Sequence, residues 1–137
     1  MQTIEQIKTQ IQSLLVNHPH INIDILIAYH PGFLCLPEIL EDGEKIQGYC
    51  MGLLEGKNKK LGAGKWLVIQ TGNGFHFVRK LLFKSGFDSI SLERTKVKKI
   101  TTKMGWFFGK IQWETEEDTI EMLQIGKKDY EFFVKGL

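Results

Sequence analysis

The sequence predicts a mainly β, α+β fold: an antiparallel barrel plugged at one end by a C-terminal helix and preceded by a helical extension. Three observations carry this. From Lys45 onward, apolar residues recur with a period of two in seven short runs. Turn residues separate the runs by short gaps, so consecutive strands pair antiparallel. Finally Tyr130, Phe133, Val134 and Leu137 form one stripe at helical spacing, and a helix with one stripe must lay it on something. The open end of the barrel is the nearest partner.

The first element is a helix over 3–17. Thr3 and Gln6 have capping-box spacing, Ile4, Ile7, Ile11, Leu14 and Leu15 share a face, and Asn17-His18-Pro19 ends the pattern. Residues 21–29 read two ways: the isoleucines alternate like a strand, yet Asp24 is placed to cap a short helix. Pro31-Gly32 ends either one, and Pro37 suits the first turn of another short helix through Leu40.

The strands are expected at 46–55, 65–71, 75–83, 87–94, 97–104, 107–115 and 119–125. Gly72-Asn73-Gly74 reads as a tight hairpin whose residues tolerate positive φ. Ser85-Gly86, Gly105 and Glu116-Glu117-Asp118 mark later turns. In the sixth strand Phe107, Gly109, Ile111 and Trp113 should share one face, with Trp106, Phe108, Lys110, Gln112 and Glu114 on the other. The last helix should begin near Lys127. This organisation divides the chain into an N-terminal helical segment, 1–45, and a barrel domain, 46–137.

Composition narrows the function classes. A hydrophobic content of 42% and a charged content of 25% are those of an ordinary globular domain, and a net charge of +2 is too small to argue for nucleic acid. Cys35 and Cys50 lack metal or redox spacing and read as buried thiols in a reducing compartment. The start lacks the basic-then-apolar pattern of a signal peptide, so a cytoplasmic protein is expected.

The order of motifs from residue 36 onward carries a resemblance. Leu36-Pro37-Glu38-Ile39-Leu40 leads through Gly43-Glu44-Lys45-Ile46 into the first strand. Trp66-Leu67-Val68-Ile69-Gln70-Thr71, His76-Phe77-Val78-Arg79-Lys80, Val97-Lys98-Lys99-Ile100-Thr101-Thr102 and Gly109-Lys110-Ile111-Gln112-Trp113 follow, and Ile125-Gly126-Lys127-Lys128 opens the final helix before Phe133-Val134. This series resembles the bacterial pleckstrin-homology-like (PH-like) domains of the YokE-like type over residues 36–137. It departs from them at Gln70-Thr71-Gly72-Asn73-Gly74, where the family has a basic turn. The resemblance implies two near-orthogonal antiparallel sheets capped by a C-terminal helix, and it implies no enzyme activity and no cofactor.

Two surfaces are candidates for work. Lys57, Lys59, Lys60 and Lys65 crowd the loop after the first strand. Eukaryotic PH domains bind phosphoinositides with such a loop, because phosphates need donors and positive charge. Their motif also needs an Arg where this chain has Leu67. The second surface is aromatic. Consecutive Trp106, Phe107 and Phe108 cannot all face inward, so if Phe107 is buried, Trp106 and Phe108 point out. Either the N-terminal helix covers them or they contact another protein, most simply a second copy.

Other constellations are weaker. His18, His20 and His30, with Asp24, make a sparse metal set. Glu114, Glu116, Glu117, Asp118 and Glu121 read as a solvated hairpin tip rather than an acid–base site. Arg94, Lys96, Lys98, Lys99 and Lys103 lack the interleaved aromatics of a nucleic-acid platform. No nucleophile motif and no small-molecule substrate emerge. The expected function is a non-enzymatic protein-interaction or oligomerisation module. The alternatives are an adaptor for anionic lipid headgroups and, behind it, a small hydrolytic or metal-dependent enzyme.

Overall fold

The computed structural model describes residues 1–15, 22–57, 61–81 and 85–137. Helix α1 (Ile4–Leu14) starts on the expected capping box: the Gln6 N–H donates to Thr3 Oγ1 and the Thr3 N–H donates to Gln6 Oε1. Helix α2 (Ile23–Tyr29) resolves the ambiguous segment as a helix, and Asn22 rather than Asp24 is its cap, accepting from the Asp24 and Ile25 N–H groups. A 3-10 turn (Pro31–Cys35) runs into α3 (Leu36–Ile39), with Pro37 in its first turn.

Seven strands follow: β1 (Ile46–Leu54), β2 (Gly64–Thr71), β3 (Gly74–Lys80), β4 (Phe87–Glu93), β5 (Lys99–Met104), β6 (Phe108–Glu114) and β7 (Thr119–Gly126). The expected third strand stops at Lys80, and the rest of that expectation, to Phe83, falls partly outside the described residues. The fifth begins two residues late because Arg94–Lys96 forms a 3-10 turn. All pairings are antiparallel, in the order β4-β3-β2-β1-β7-β6-β5. The strands up to β4 meet those from β5 along β1 and β7, where Leu53 registers with Leu123. Gln124, with φ at 55°, is the extra β7 residue opposite the irregularity between Gly109 and Ile111, and such a bulge bends a strand from one half of a barrel to the other.

The hairpin between β2 and β3 is closed differently from expectation. Neither Gly72 nor Asn73 takes positive φ. Instead Thr71 Oγ1 accepts the N–H groups of Asn73 and Gly74, a side-chain-closed turn. Gly74 is required by crowding, since a Cβ there would lie 2.1 Å from the Leu92 carbonyl oxygen.

Two cores lie on opposite faces of the β1–β3 sheet. Inside the barrel, Phe75, Phe77, Trp113 and Phe133 pack as a cluster of rings, with Trp113 centred 5.0 Å from Phe77 and 5.7 Å from Phe75. Helix α4 (Lys127–Lys135) plugs this core through Phe133, with Tyr130 and Val134 half-buried and Glu131 and Lys135 exposed. Leu137, expected on the same stripe, is 41% exposed just past the helix end. Phe132 instead packs edge-on against Tyr49 at 5.2 Å, on the other core.

That second core decides where the N-terminal helix lies, which the sequence left open. Ile7, Ile11, Ile27, Phe33 and Leu36 pack against Tyr49, Leu67, Ile69 and Val78, on the outer face of the sheet. The apolar stripe of α1 is therefore satisfied there and does not cover the aromatic hairpin. Polar contacts fix the same docking: Gln2 Nε2 donates to the Glu41 and Glu44 carbonyls, and the Ile46 N–H donates to Gln10 Oε1 at 2.8 Å.

Candidate functional site

The aromatic hairpin connects β5 to β6. The Gly105 N–H donates to the Phe108 carbonyl at 2.9 Å and closes a short connection over residues 105–107. Gly109, Ile111 and Trp113 turn inward, so Phe108 and Lys110 turn outward. Trp106 is 97% exposed, Phe107 78% and Phe108 54%. The expectation that Phe107 faces the core fails because β6 begins only at Phe108; strand alternation does not extend into the turn. Three consecutive rings thus form one convex apolar tip.

Lysines surround the base of this tip. Lys103 on β5 registers directly with Lys110 on β6, and Phe108 registers with Gly126, which Lys127 and Lys128 follow at the start of α4. Lys103, Lys127 and Lys128 are exposed, and Lys110 lies 4.0 Å from Glu121. Lys110 stands two residues along the strand from Phe108, roughly 7 Å. At the base Tyr130 of α4 packs onto Gly109, where a Cβ would lie 2.2 Å from the tyrosine ring.

The basic loop stands elsewhere. Lys57 is exposed and paired with Glu55 at 3.1 Å, a contact that raises its pKa. Lys59 and Lys60 lie outside the described residues. The far side of the loop is pinned: Arg79 stacks 4.5 Å over Trp66 and donates to the Ala63 carbonyl at 2.8 Å, and Trp66 Nε1 donates to the Gly62 carbonyl. Lys65 borders a hollow of about 330 Å³ with His30, Arg79 and Lys80 over an apolar floor, a basic grouping that strand residues scattered over the sequence did not reveal. Burial lowers the His30 pKa; Asp129 opposes the shift and Lys65 adds to it. Lys57 borders Thr119 and Glu121 at the start of β7, whereas the aromatic tip adjoins its end. The two surfaces are separated by the length of β7, roughly 25 Å at 3.3 Å per residue.

A third grouping was not foreseen. His76 Nε2 lies 2.6 Å from Glu44 Oε2, His76 Nδ1 lies 2.7 Å from Ser91 Oγ, and Thr71 Oγ1 donates to the same Glu44 oxygen. Burial pushes the Glu44 carboxyl up, but hydrogen bonds from Thr71, His76 and the Glu41 N–H, with the charge of His76, outweigh it and hold the pKa below 4.5. Serine, histidine and carboxylate in line are the residue types of a nucleophile relay. Here, however, His76 and Ser91 are directly opposed strand residues, and Glu44 is a buried residue two positions before β1. The arrangement is a clasp that ties the residues before β1 to β3 and β4.

The remaining candidates disperse. His18 and His20 lie outside the described residues, and among the described residues no three His, Cys, Asp or Glu side chains gather to hold a metal. Burial pushes the Cys35 thiol up to about 11 and Cys50 well above its ordinary 9.0, which leaves neither a thiolate near neutrality. Arg94 lies 4.9 Å over the Phe75 ring and donates to the Thr71 carbonyl, while Lys96 and Lys98 pair with Glu93 and Glu116. The acidic turn Glu116-Glu117-Asp118 is exposed, as expected of a solvated hairpin tip, and it borders a groove of about 580 Å³ beside β4. No described helix is long and apolar enough to cross a membrane.

No curated protein and no solved structure matches the chain. The model of the bacterial PH domain family matches residues 40–137, which takes in all seven strands and α4. With that span and this topology, the chain belongs to the bacterial PH domain family.

Proposed function

We propose that this protein is a non-enzymatic interaction module that docks its aromatic tip into an anionic membrane surface. PH-like domains in general mediate protein or lipid interactions, and the family alone does not choose between them. The observation that carries the choice is the pairing of a fully exposed Trp106, beside Phe107 and Phe108, with a collar of Lys103, Lys110, Lys127 and Lys128. Rings of this kind favour the headgroup boundary, where one end is apolar and the other wet. Each lysine near an anionic surface contributes about 1 kcal/mol, so four supply about 4 kcal/mol, equivalent to millimolar affinity. The rings must supply the rest by leaving water.

Self-association, the leading expectation from the sequence, is the second reading, and the exposure of the same rings supports it. A tip-to-tip contact is disfavoured because it sets two lysine collars against each other and joins two convex shapes. Lys57 and Lys65 stand at the other end of the barrel, so a basic loop that binds anions there, with Lys59 and Lys60 of the sequence, is a separate surface from the tip, and one flat membrane does not engage both Lys57 and the tip. A cytoplasmic setting belongs to this reading, supported by the free, buried Cys35 and Cys50. So does YokE-like membership, supported by the motif order alone.

Sedimentation with vesicles tests it. Binding to vesicles containing phosphatidylserine, but not to neutral phosphatidylcholine, should weaken with salt and be lost in a Trp106→Ala, Phe108→Ser double mutant. A parent dimer in light scattering that the same mutant dissolves, with no vesicle binding, would transfer the tip to self-association. Binding lost only in a Lys57→Gln, Lys59→Gln, Lys60→Gln mutant would move the lipid site to the loop. A parent that neither binds vesicles nor associates removes the tip as an interaction surface.

A further inference from the structure

The turn before α3 seats closely on the outer face of the sheet. A Cβ at Gly32 would lie 2.9 Å from Val78 Cγ2 and 3.3 Å from Leu67 Cδ2, closer than side chains normally pack. Beside this seat opens the hollow of about 330 Å³, with His30, Pro31 and Gly32 on one side and Met51, Leu67 and Val78 as its floor. That volume is at the small end of ligand pockets, roughly 300–1,000 Å³. The wall from the extension lies before residue 40, where the family match begins, so the hollow exists only where extension meets barrel.

The charge at its rim is unbalanced. Leu67 registers with Val78, and side chains alternate along a strand. Lys65 and Lys80, each two residues out from that pair, therefore stand on the same face of neighbouring strands. Like charges so placed repel. Among the described residues neither lysine has an ion-pair or hydrogen-bond partner. Arg79 is different, because it donates to Asp88 at 3.2 Å and to the Ala63 carbonyl. Asp129 lies near enough to act on His30 but does not line the hollow. His30 Nδ1 is buried and has no hydrogen-bond partner among the described residues, a state that costs free energy until an acceptor is supplied.

These features together select the occupant. A bare anion would relieve the lysines and leave the apolar floor in water, and an uncharged chain would bury the floor beside two unpaired ammonium groups. We infer that the hollow binds a short aliphatic carboxylate, with its chain on Met51, Leu67 and Val78, its carboxylate between Lys65 and Lys80, and His30 as a third donor. The site shares no residue with the aromatic tip and needs no membrane.

The probe is octanoate, titrated into the intact protein by calorimetry and followed through amide NMR shifts. Octanol and octylamine keep the chain and change the charge, whereas acetate and inorganic phosphate keep an anion and drop the chain. Octanoate should shift the amides of Met51, Leu67 and Val78 and bind about tenfold more tightly than any of the four. A Lys65→Gln, Lys80→Gln variant, changed only at exposed positions, should keep the parent melting midpoint and lose about tenfold in octanoate affinity. His30→Phe keeps a ring, removes the nitrogen and should also bind more weakly. The Trp106→Ala, Phe108→Ser double mutant should bind octanoate as the parent does, which separates this site from the membrane reading. No octanoate binding, equal binding of octanol or phosphate, affinity unchanged by the lysine substitutions, or shifts centred on residues 105–110 would overturn the inference.

Discussion

His76 and Glu44 meet at 2.6 Å across 32 residues of sequence and are both buried. The contact places a carboxylate from the segment before β1 against the middle of β3. It is a buried polar link with every identified partner in hydrogen-bond range, so removing one side strands the other.

Acid should loosen this clasp. The folded Glu44 pKa lies below its ordinary 4.5, so its stabilising contribution is fully present above that value and is lost as pH falls through the folded pKa. The parent should therefore lose stability as pH drops below about 4.5, measured by denaturant unfolding at stepped pH. Glu44→Gln should be less stable at neutral pH by about 2 kcal/mol and show a shallower acid slope. An unchanged slope would mean that another carboxylate dominates.

The C-terminal plug should be uneven. Phe133 is fully buried against Phe75 and Trp113, and its carbonyl accepts from Gln70 Nε2 at 2.7 Å. Phe133→Ala should destabilise by about 3–5 kcal/mol. Leu137→Ala, at a half-open position, should stay within about 0.5 kcal/mol. Thermal or denaturant melts compare the two, and truncation after Gly126 should leave an insoluble chain.

A methyl group at residue 109 should disturb the base of the aromatic tip. Gly109→Ala would drive Cβ into the Tyr130 ring, with an overpacking cost of about 1–3 kcal/mol. Tyr130→Ala in the same chain should recover part of that loss, as a double-mutant cycle would measure.

Tryptophan fluorescence should report the tip in isolation. Trp66 and Trp113 are 1% and 0% exposed, whereas Trp106 is 97% exposed. Acrylamide should quench one component of the parent emission, and Trp106→Phe should remove it without shifting the melting midpoint. On anionic vesicles that component should move to the blue; an unshifted spectrum with bound vesicles would place contact elsewhere.

Most of the fold was legible because each strand carries its own period and each turn its own chemistry. Thr3 and Gln6 announced α1, and Lys127 the start of α4. Less legible was where α1 lies, since Ile7 and Ile11 state that a partner exists without naming it. The signal was present in Trp66-Leu67-Val68-Ile69-Gln70-Thr71, whose unbroken burial reads as a strand covered on both faces. A barrel strand with one wet face would alternate. The tip was legible as three adjacent rings, but its lysine collar was not, because Lys103, Lys110 and Lys127 converge only through strand register. The clasp was equally hidden: Glu44, His76 and Ser91 share no spacing.

The doubly covered sheet also sets what is portable. The family model begins at residue 40, downstream of Ile7, Ile11, Ile27, Phe33 and Leu36, which cover the outer face. A fusion cut at that point would keep the matched barrel but strip Leu67, Ile69 and Val78 of the helical residues that cover them. Transplanting this barrel into another protein should therefore succeed only with the preceding helices attached, as a comparison of the solubility of residues 40–137 with that of the whole chain would show.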